Sequence, residues 1–126
     1  MLICGASFAG LAVARELTAS GARVFVLDRY EIGERQTSAC GIPTGWLRAL
    51  GLMGAHRQTF GRLVAHTPHG TARFELPWTF STFDYPELCS LLWEQSDAEF
   101  ETAKVEGRSG DTVHTDRGDL TAPVVI

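Results

Sequence analysis

Residues 2–28, LICGASFAGLAVARELTASGARVFVLD, decide the fold of this chain of 126 residues. The opening LIC is a short apolar run that predicts a buried strand, and apolar residues then recur at helical spacing from Ala9 to Ser20. RVFVLD, residues 23–28, carries a continuous apolar run, which is typical of a strand covered on both faces. A strand, a helix and a second strand in so short a stretch predict a βαβ unit, and therefore an α/β fold with a parallel sheet.

The loop CGASFAG, residues 4–10, is close to the pattern Gly-x-Gly-x-x-Gly, with Ser7 in place of the middle glycine. A pyrophosphate group needs backbone N–H donors and the positive end of a helix, with no side chain in the way. Gly5 permits the sharp turn out of the strand, and Gly10 permits close packing of the helix on the strand. Ser7 narrows the approach, but its hydroxyl can donate to a phosphate oxygen. The loop therefore keeps two of the three glycines that a dinucleotide site uses.

Asp28 ends the second strand, 18 residues after Gly10. An acidic side chain at this place accepts hydrogen bonds from the ribose hydroxyls of a dinucleotide. The alternative is a plain strand-to-helix turn, with Asp28 as an ordinary residue at a strand end. The succession of strand, loop, helix, strand and acidic residue favours the dinucleotide site.

The remaining elements follow from local pattern. Residues 29–43 are predicted to form a loop, and a short helix begins at Thr44 with that residue as its cap. Residues 61–77 predict a β-hairpin around TPHG, followed by a further strand over 78–83. Residues 85–96 predict a helix with Pro86 at its start and three leucines on one face. Residues 99–107, 111–119 and 120–126 predict three strands separated by turns.

Composition narrows the class of protein. A net charge of −4 without any Lys/Arg cluster argues against a nucleic-acid-binding protein. No apolar run reaches the ~20 residues that cross a bilayer. Three widely spaced cysteines predict neither a disulfide framework nor a metal site, and they favour the cytoplasm. The ending PVVI resembles a strand that stops at the last residue, so we expect the chain to be the front part of a longer protein.

Together these motifs resemble the N-terminal third of FAD-dependent oxidoreductases of the p-hydroxybenzoate hydroxylase and geranylgeranyl reductase type. Residues 3–29 are similar to the FAD fingerprint of that family, and SACGIPTGWLRALGL, residues 38–52, to the segment that follows it in the reductase branch. Residues 83–96 resemble the helix before the third parallel strand, and residues 111–126 a β-meander. The resemblance implies a Rossmann-like FAD/NAD(P)-binding fold in which residues 1–126 form an FAD-binding domain, incomplete at its C-terminus, with an inserted hairpin and meander.

The resemblance also implies how FAD is held. Six loop residues would line its pyrophosphate: Gly5, Ala6, Ser7, Phe8, Ala9 and Gly10. Asp28 would hold the ribose hydroxyls, and Arg29 would lie beside the adenosine. Val105, expected on the third parallel strand, would contact the adenine through its backbone, and Lys104 beside it is a weaker candidate.

Two departures from the family concern arginines. Many relatives carry an arginine where this chain has Tyr85, which puts a cofactor contact there in doubt. Hydroxylases often carry another arginine in the segment that corresponds to residues 38–40 of this chain. The absence of that arginine here favours the reductase branch.

The activity implied by the resemblance is that of a flavin-dependent oxidoreductase, either a monooxygenase or a geranylgeranyl reductase-like enzyme. NAD(P)H would donate the electrons, and the substrate would be a small hydrophobic or aromatic molecule. Halogenation ranks lower, because no lysine and tryptophan motif for it is found. The alternative is a non-catalytic dinucleotide-binding module or a truncated remnant. No catalytic residue is assigned, and the fragment alone is expected to be inactive.

Several other side chains have two interpretations each. Cys40 is either a small residue filling a loop or a functional thiol near the flavin, and the first is favoured. Cys4 and Cys89 are predicted to lie in the core. Three aromatic residues, Trp46, Trp78 and Phe80, either border a substrate cavity or pack in the core, and core packing is favoured.

Overall fold

A computed structural model describes residues 1–126, the whole chain. In chain order the elements are β1 (Leu2–Cys4), α1 (Phe8–Ala19), β2 (Phe25–Asp28), β3 (Gly41–Pro43), α2 (Thr44–Ala49), a 3-10 helix (Met53–Ala55), β4 (His56–Thr67), β5 (Gly70–Phe83), α3 (Tyr85–Glu94), β6 (Glu99–Thr102), β7 (Val105–Ser109), β8 (Thr112–Thr115) and β9 (Gly118–Thr121). The chain divides into two compact units. One comprises Met1–Thr37 and Tyr85–Ile126, and the other is Ser38–Asp84.

The first unit is built on a parallel sheet. β2 lies in the middle, pairing with β1 on one side and β6 on the other. The end of the chain continues the sheet beyond β1, where Val125 forms a parallel bridge with Leu2. The predicted βαβ unit and parallel sheet are confirmed, with α1 starting at Phe8 rather than Ala9.

Both faces of this sheet are covered, which explains the continuous apolar runs. On one face, Leu2 and Leu27 form a buried cluster with Ala103 of the β6–β7 connection and Val113 of β8. On the other face, Trp93 of α3 makes an edge-to-face contact with Phe100 of β6, with ring centroids 6.1 Å apart. The sheet is therefore the middle of three layers, between the helices and an antiparallel meander of β7, β8 and β9.

The final strands differ from their prediction. The stretch 99–107, expected as one strand, contains two: β6 ends at Thr102, the last residue paired with β2, and β7 starts at Val105. Ala103 between them is buried, and its N–H donates to the carbonyl of Asp28 at 2.7 Å. Val105 therefore opens the meander, and its predicted place on the third parallel strand is wrong.

The second unit is an antiparallel sheet in the order β3-β5-β4. The predicted hairpin is confirmed, and it is longer than expected because residues 78–83 continue β5. Thr44 does not cap α2. Its buried hydroxyl is instead 2.7 Å from that of Ser81, which is fully buried, and Pro43 occupies the capping position. A buried hydroxyl needs a hydrogen-bond partner, and this distant one outcompetes the local cap.

The aromatic residues of this unit are mostly outside the core. Trp46 is 64% exposed and Trp78 is 49% exposed, so their predicted core packing is wrong. Phe80 is half-buried beside Trp78, with ring centroids 5.9 Å apart. The hairpin carries further exposed apolar side chains on both strands, among them Leu63 and Phe74, which lie directly opposite each other. A two-stranded ribbon has too little core to bury them. No helix of the chain is long and apolar enough to cross a membrane.

Candidate functional site

The loop between β1 and α1 has the geometry that its glycines predicted. Gly5 adopts a φ of +129°, a conformation that side chains rarely tolerate, and its N–H donates to the carbonyl of Leu27 at 2.7 Å. A Cβ at Gly10 would fall on the carbonyl oxygen of Gly5 and 3.4 Å from Cγ2 of Ile3. Gly10 therefore lets α1 pack directly on the strand and loop, whereas Gly5 lets the backbone turn.

The amino end of α1 has no side-chain cap, although the carboxylate of Asp28 lies beside it through a hydrogen bond from the N–H of Ala6. Ser7 stands at the capping position with extended backbone angles, and its hydroxyl makes no capping hydrogen bond. The first turn of the helix contains no acidic residue. The unpaired N–H groups and partial positive charge of a helix N-terminus favour an anion beside this loop.

Asp28 is the side chain that joins the second strand to this loop. Its Oδ2 accepts a hydrogen bond from the N–H of Ala6 at 2.7 Å, and its Oδ1 accepts one from the N–H of Tyr30 at 3.1 Å. Each carboxylate oxygen has a second lone pair that these bonds leave unused. The carboxylate is therefore held in one orientation and can still accept hydrogen bonds from a hydroxyl pair.

Two cavities share Asp28 and Arg29 in their walls. One, of 140 Å³, adds Ala6 and Ser7 of the loop and five further side chains: Tyr30, Glu31, Arg35, Thr37 and Tyr85. The other, of 250 Å³, adds Gly5 and the connection that contains Ala103, Lys104 and Val105. Both lie at the carboxyl ends of the parallel strands, where open α/β sheets bind their ligands.

A larger cavity of 690 Å³ lies at the opposite end of the sheet, beside the first residues of β1, β2 and β6. None of the predicted site residues lines it. Strand order and loop chemistry, rather than volume, therefore locate the candidate site around Asp28.

The structure brings most of the predicted residues together. Gly5, Ala6, Ser7, Asp28 and Arg29 line the paired cavities, as does Val105 despite its different strand. Phe8, Ala9 and Gly10 form the first turn of α1, and the ring of Phe8 meets that of Tyr85 edge-on at 6.3 Å. Lys104 lines the 250 Å³ cavity, but its ammonium group pairs with Glu106 at 3.3 Å.

Sequence reasoning missed Arg35 and Thr37 as wall residues of the smaller cavity, and it noted Tyr85 only as a position where many relatives carry an arginine. Tyr85 is buried, and its hydroxyl lies 3.1 Å from that of Thr37. Burial raises the pKa of the Tyr85 phenol, while its hydrogen bond with Thr37 opposes the shift. Besides that family comparison, the signal in the sequence was a polar aromatic residue at the start of a helix that otherwise buries apolar side chains.

The three cysteines occupy different environments. Cys89 is fully buried in α3, as predicted, but Cys4 is exposed at the end of β1 and lines the 250 Å³ cavity. Its predicted core position is wrong because β1 ends at this residue. Cys40 is buried with a φ of +53°, and its Sγ lies 3.5 Å from the carbonyl oxygen of Ser38. No group of three or more His, Cys, Asp or Glu residues is arranged to hold a metal ion.

No protein-family model and no curated protein matches this sequence. Solved structures do match its fold. PqsL of Pseudomonas aeruginosa, a probable FAD-dependent monooxygenase, superposes with a TM-score of 0.72 at 20% identity, over 98% of this chain and 40% of that one. The flavin-dependent brominase Bmp2 gives 0.71 at 13% identity, over 98% and 36%.

Other similar structures show the range of activities on this fold. The halogenase PltM, in a variant solved with FAD, gives a TM-score of 0.68 at 14% identity, over 98% of this chain and 32% of that one. The Diels-Alderase PyrE3 gives 0.72 at 17% identity, over 98% and 31%. The chain spans about two fifths or less of these proteins. At such identities the likeness establishes the fold: a mixed α/β chain with the parallel sheet found in part of FAD-dependent monooxygenases and halogenases.

Proposed function

We propose that this chain binds FAD through its adenosine half, as the N-terminal part of a flavin-dependent oxidoreductase. One observation carries the proposal. Asp28 is held by the N–H of Ala6 of the glycine loop, and it lines two cavities. The solved structures with this fold include several flavin-dependent enzymes, which supports FAD as the dinucleotide.

The residues present fit such a cofactor. No atom lies within 4 Å of the place where a Cβ of Gly5 would stand, so the loop surface there is open to a ligand. The amino end of α1 offers positive partial charge to a diphosphate, and Ser7 offers a hydroxyl. Asp28 would accept hydrogen bonds from the ribose, beside Arg29. Val105 and Lys104 would border the adenine in the 250 Å³ cavity.

FAD supplies the redox chemistry when bound, and the protein binds, orients and shields it. Within this chain the loop, α1 and Asp28 would bind and orient the adenosine half. The finer class is either a monooxygenase or a reductase of isoprenoid double bonds, with NAD(P)H as electron donor. PqsL has been solved with 2-aminobenzoylacetate, which favours a small aromatic substrate for a protein of this fold.

The test is a titration of the purified chain with FAD, ADP and FMN, followed by flavin fluorescence and by displacement. The adenosine-half assignment predicts that FAD binds, that ADP displaces it, and that FMN, which lacks the adenosine half, does not compete. Binding of FMN with no effect of ADP would contradict the assignment of the loop. Failure of both FAD and ADP to bind the folded chain would refute the proposal.

The class of reaction is to be tested on a protein that binds the whole flavin. NADPH oxidation with and without oxygen would separate a monooxygenase, which consumes oxygen, from a reductase, which does not need it. A protein that binds FAD tightly yet oxidises no NAD(P)H with any acceptor would support the alternative, a dinucleotide-binding module without catalysis.

A further inference from the structure

Arg35 is a cation in the wall of the 140 Å³ cavity, beside the glycine loop. Its Nη1 donates to the hydroxyl of Tyr30 at 2.7 Å, and its Cζ lies 5.1 Å from the centre of the Tyr30 ring. Arg29 contacts the same ring, with its Cζ 5.4 Å from the ring centre. One tyrosine therefore holds two guanidinium groups at this cavity, through a hydrogen bond and cation–π contacts.

The carboxylates of the cavity are held by groups other than these arginines. Asp28 accepts from the backbone N–H groups of Ala6 and Tyr30, and Glu31 accepts from the hydroxyl of Thr102 at 2.6 Å. None of the ion pairs in the chain includes Arg29 or Arg35. Arg35 thus forms no ion pair with a carboxylate of the protein, although Asp28 and Glu31 line the same cavity.

The backbone that carries Arg35 is held in place. The N–H of Glu34 donates to the carbonyl of Glu31, and Oε2 of Glu34 accepts from the N–H of Glu31, both at 3.0 Å. Gly33 has a φ of +78°, and a Cβ there would stand 3.0 Å from Cα of Pro86. This close approach fixes the loop against the start of α3, so a ligand that binds Arg35 meets a side chain on an ordered backbone.

We infer that Arg35 is the specificity-determining cation of the site and selects a diphosphate ester over an uncharged nucleoside. The inference rests on the proposed function, since it takes Asp28 to hold the ribose of the same ligand. The glycine loop contributes only backbone N–H groups and partial charge. The bond to Tyr30 uses one of the five N–H donors of the guanidinium, and the others can bind phosphate oxygens.

The experiment compares ADP with adenosine on the wild-type chain and on Arg35→Gln, by isothermal titration or by NMR shifts where binding is weak. Loss of a charge-assisted hydrogen bond predicts about 10-fold to 100-fold weaker binding of ADP. Adenosine, which has no phosphate, should bind the two proteins equally. Arg35→Lys keeps the charge and should recover part of the ADP affinity. Tyr30→Phe, which removes the hydroxyl but keeps the ring, should give an intermediate loss.

Arg23→Gln is the matched control, because Arg23 is exposed at the opposite end of the same sheet. It should change neither affinity. Equal loss of ADP and adenosine binding in Arg35→Gln, or unchanged binding of both, would overturn the role of Arg35 while leaving the proposed function intact. A wild-type chain that binds neither FAD nor ADP would instead refute the proposed function, and this role with it.

Discussion

The carboxylate of Asp28 and the backbone N–H of Ala6 are joined by a hydrogen bond of 2.7 Å, although the two residues are 22 positions apart. This bond ties the carboxyl end of β2 to the loop that leaves β1. A ligand that bridges loop and carboxylate therefore meets a preformed frame, which lowers the entropy lost on binding.

Asp28→Asn should weaken both the frame and the site. An amide has a single acceptor oxygen, so one of the N–H groups of Ala6 and Tyr30 would face an NH₂ group instead of an acceptor. We expect a loss of about 1–3 kcal/mol in the free energy of unfolding and at least about tenfold weaker FAD binding. Urea denaturation and FAD titration measure the two effects. Asp97→Asn, at the other end of the sheet, serves as the control, and FAD affinity equal to wild type in Asp28→Asn would rule out the ribose assignment.

Gly10→Ala should disrupt the packing of α1. The added Cβ would fall on a backbone carbonyl oxygen, that of Gly5, which can move only if the loop opens. Overpacking of this kind costs about 1–3 kcal/mol of stability, and FAD binding should fall with it. Gly45→Ala is the control, since no atom lies within 4 Å of the added Cβ in that helix, and it should be neutral or stabilise by up to about 1 kcal/mol. Similar effects of the two substitutions would contradict the close packing at Gly10.

Cys4 should be the thiol that reacts in the native chain. It is exposed, whereas Cys40 and Cys89 are buried. Partial burial raises the pKa of the Cys4 thiol, and the positive charge of Arg108 opposes the shift. Alkylation should therefore be slow at neutral pH and accelerate in alkaline solution. Mass spectrometry after iodoacetamide treatment should find one label in the native chain and none in Cys4→Ser.

The same thiol reports on the candidate site, because Cys4 lines the 250 Å³ cavity next to Asp28. Saturating FAD or ADP should slow its alkylation. Protection by ADP but not by FMN would agree with adenosine-half binding, whereas equal labelling with and without ADP would argue against a ligand in this cavity.

Tyr85 should make the stability of the chain depend on alkaline pH. Burial raises the pKa of its phenol in the folded state above the value of about 10 expected in the unfolded chain. Between these two pKa values the unfolded chain binds fewer protons, so stability is complete below about pH 10 and declines as pH rises through the folded pKa. Urea denaturation near pH 8 and pH 11 should show a smaller decline for Tyr85→Phe than for wild type. An identical decline in both proteins would show that Tyr85 does not cause it.

Local pattern was sufficient for the βαβ unit and for its loop. The apolar runs of β1 and β2 are continuous because helices cover one face of the sheet and the meander covers the other. Gly5, Gly10 and Asp28 could be assigned from sequence because each answers a requirement of the backbone within one strand–loop–helix–strand segment. Such short-range requirements restrict the residue types at a position, so they can be recognised in the sequence.

The features that the sequence did not predict depend on contacts between residues that are distant in sequence. The sequence predicted Thr44 as a helix cap, but its hydroxyl forms a hydrogen bond with that of Ser81, 37 residues away. The stretch 99–107 was predicted as one strand, but β6 belongs to the parallel sheet and β7 to the meander, with the buried Ala103 between them. In the same way Tyr85 comes to the site of Asp28 only because α3 packs beside α1 and meets the ring of Phe8. The sequence by itself determined the glycine loop and its acidic partner, since their geometry is local. Only the tertiary structure decided which side chains complete the cavity, because those contacts depend on how separate elements pack.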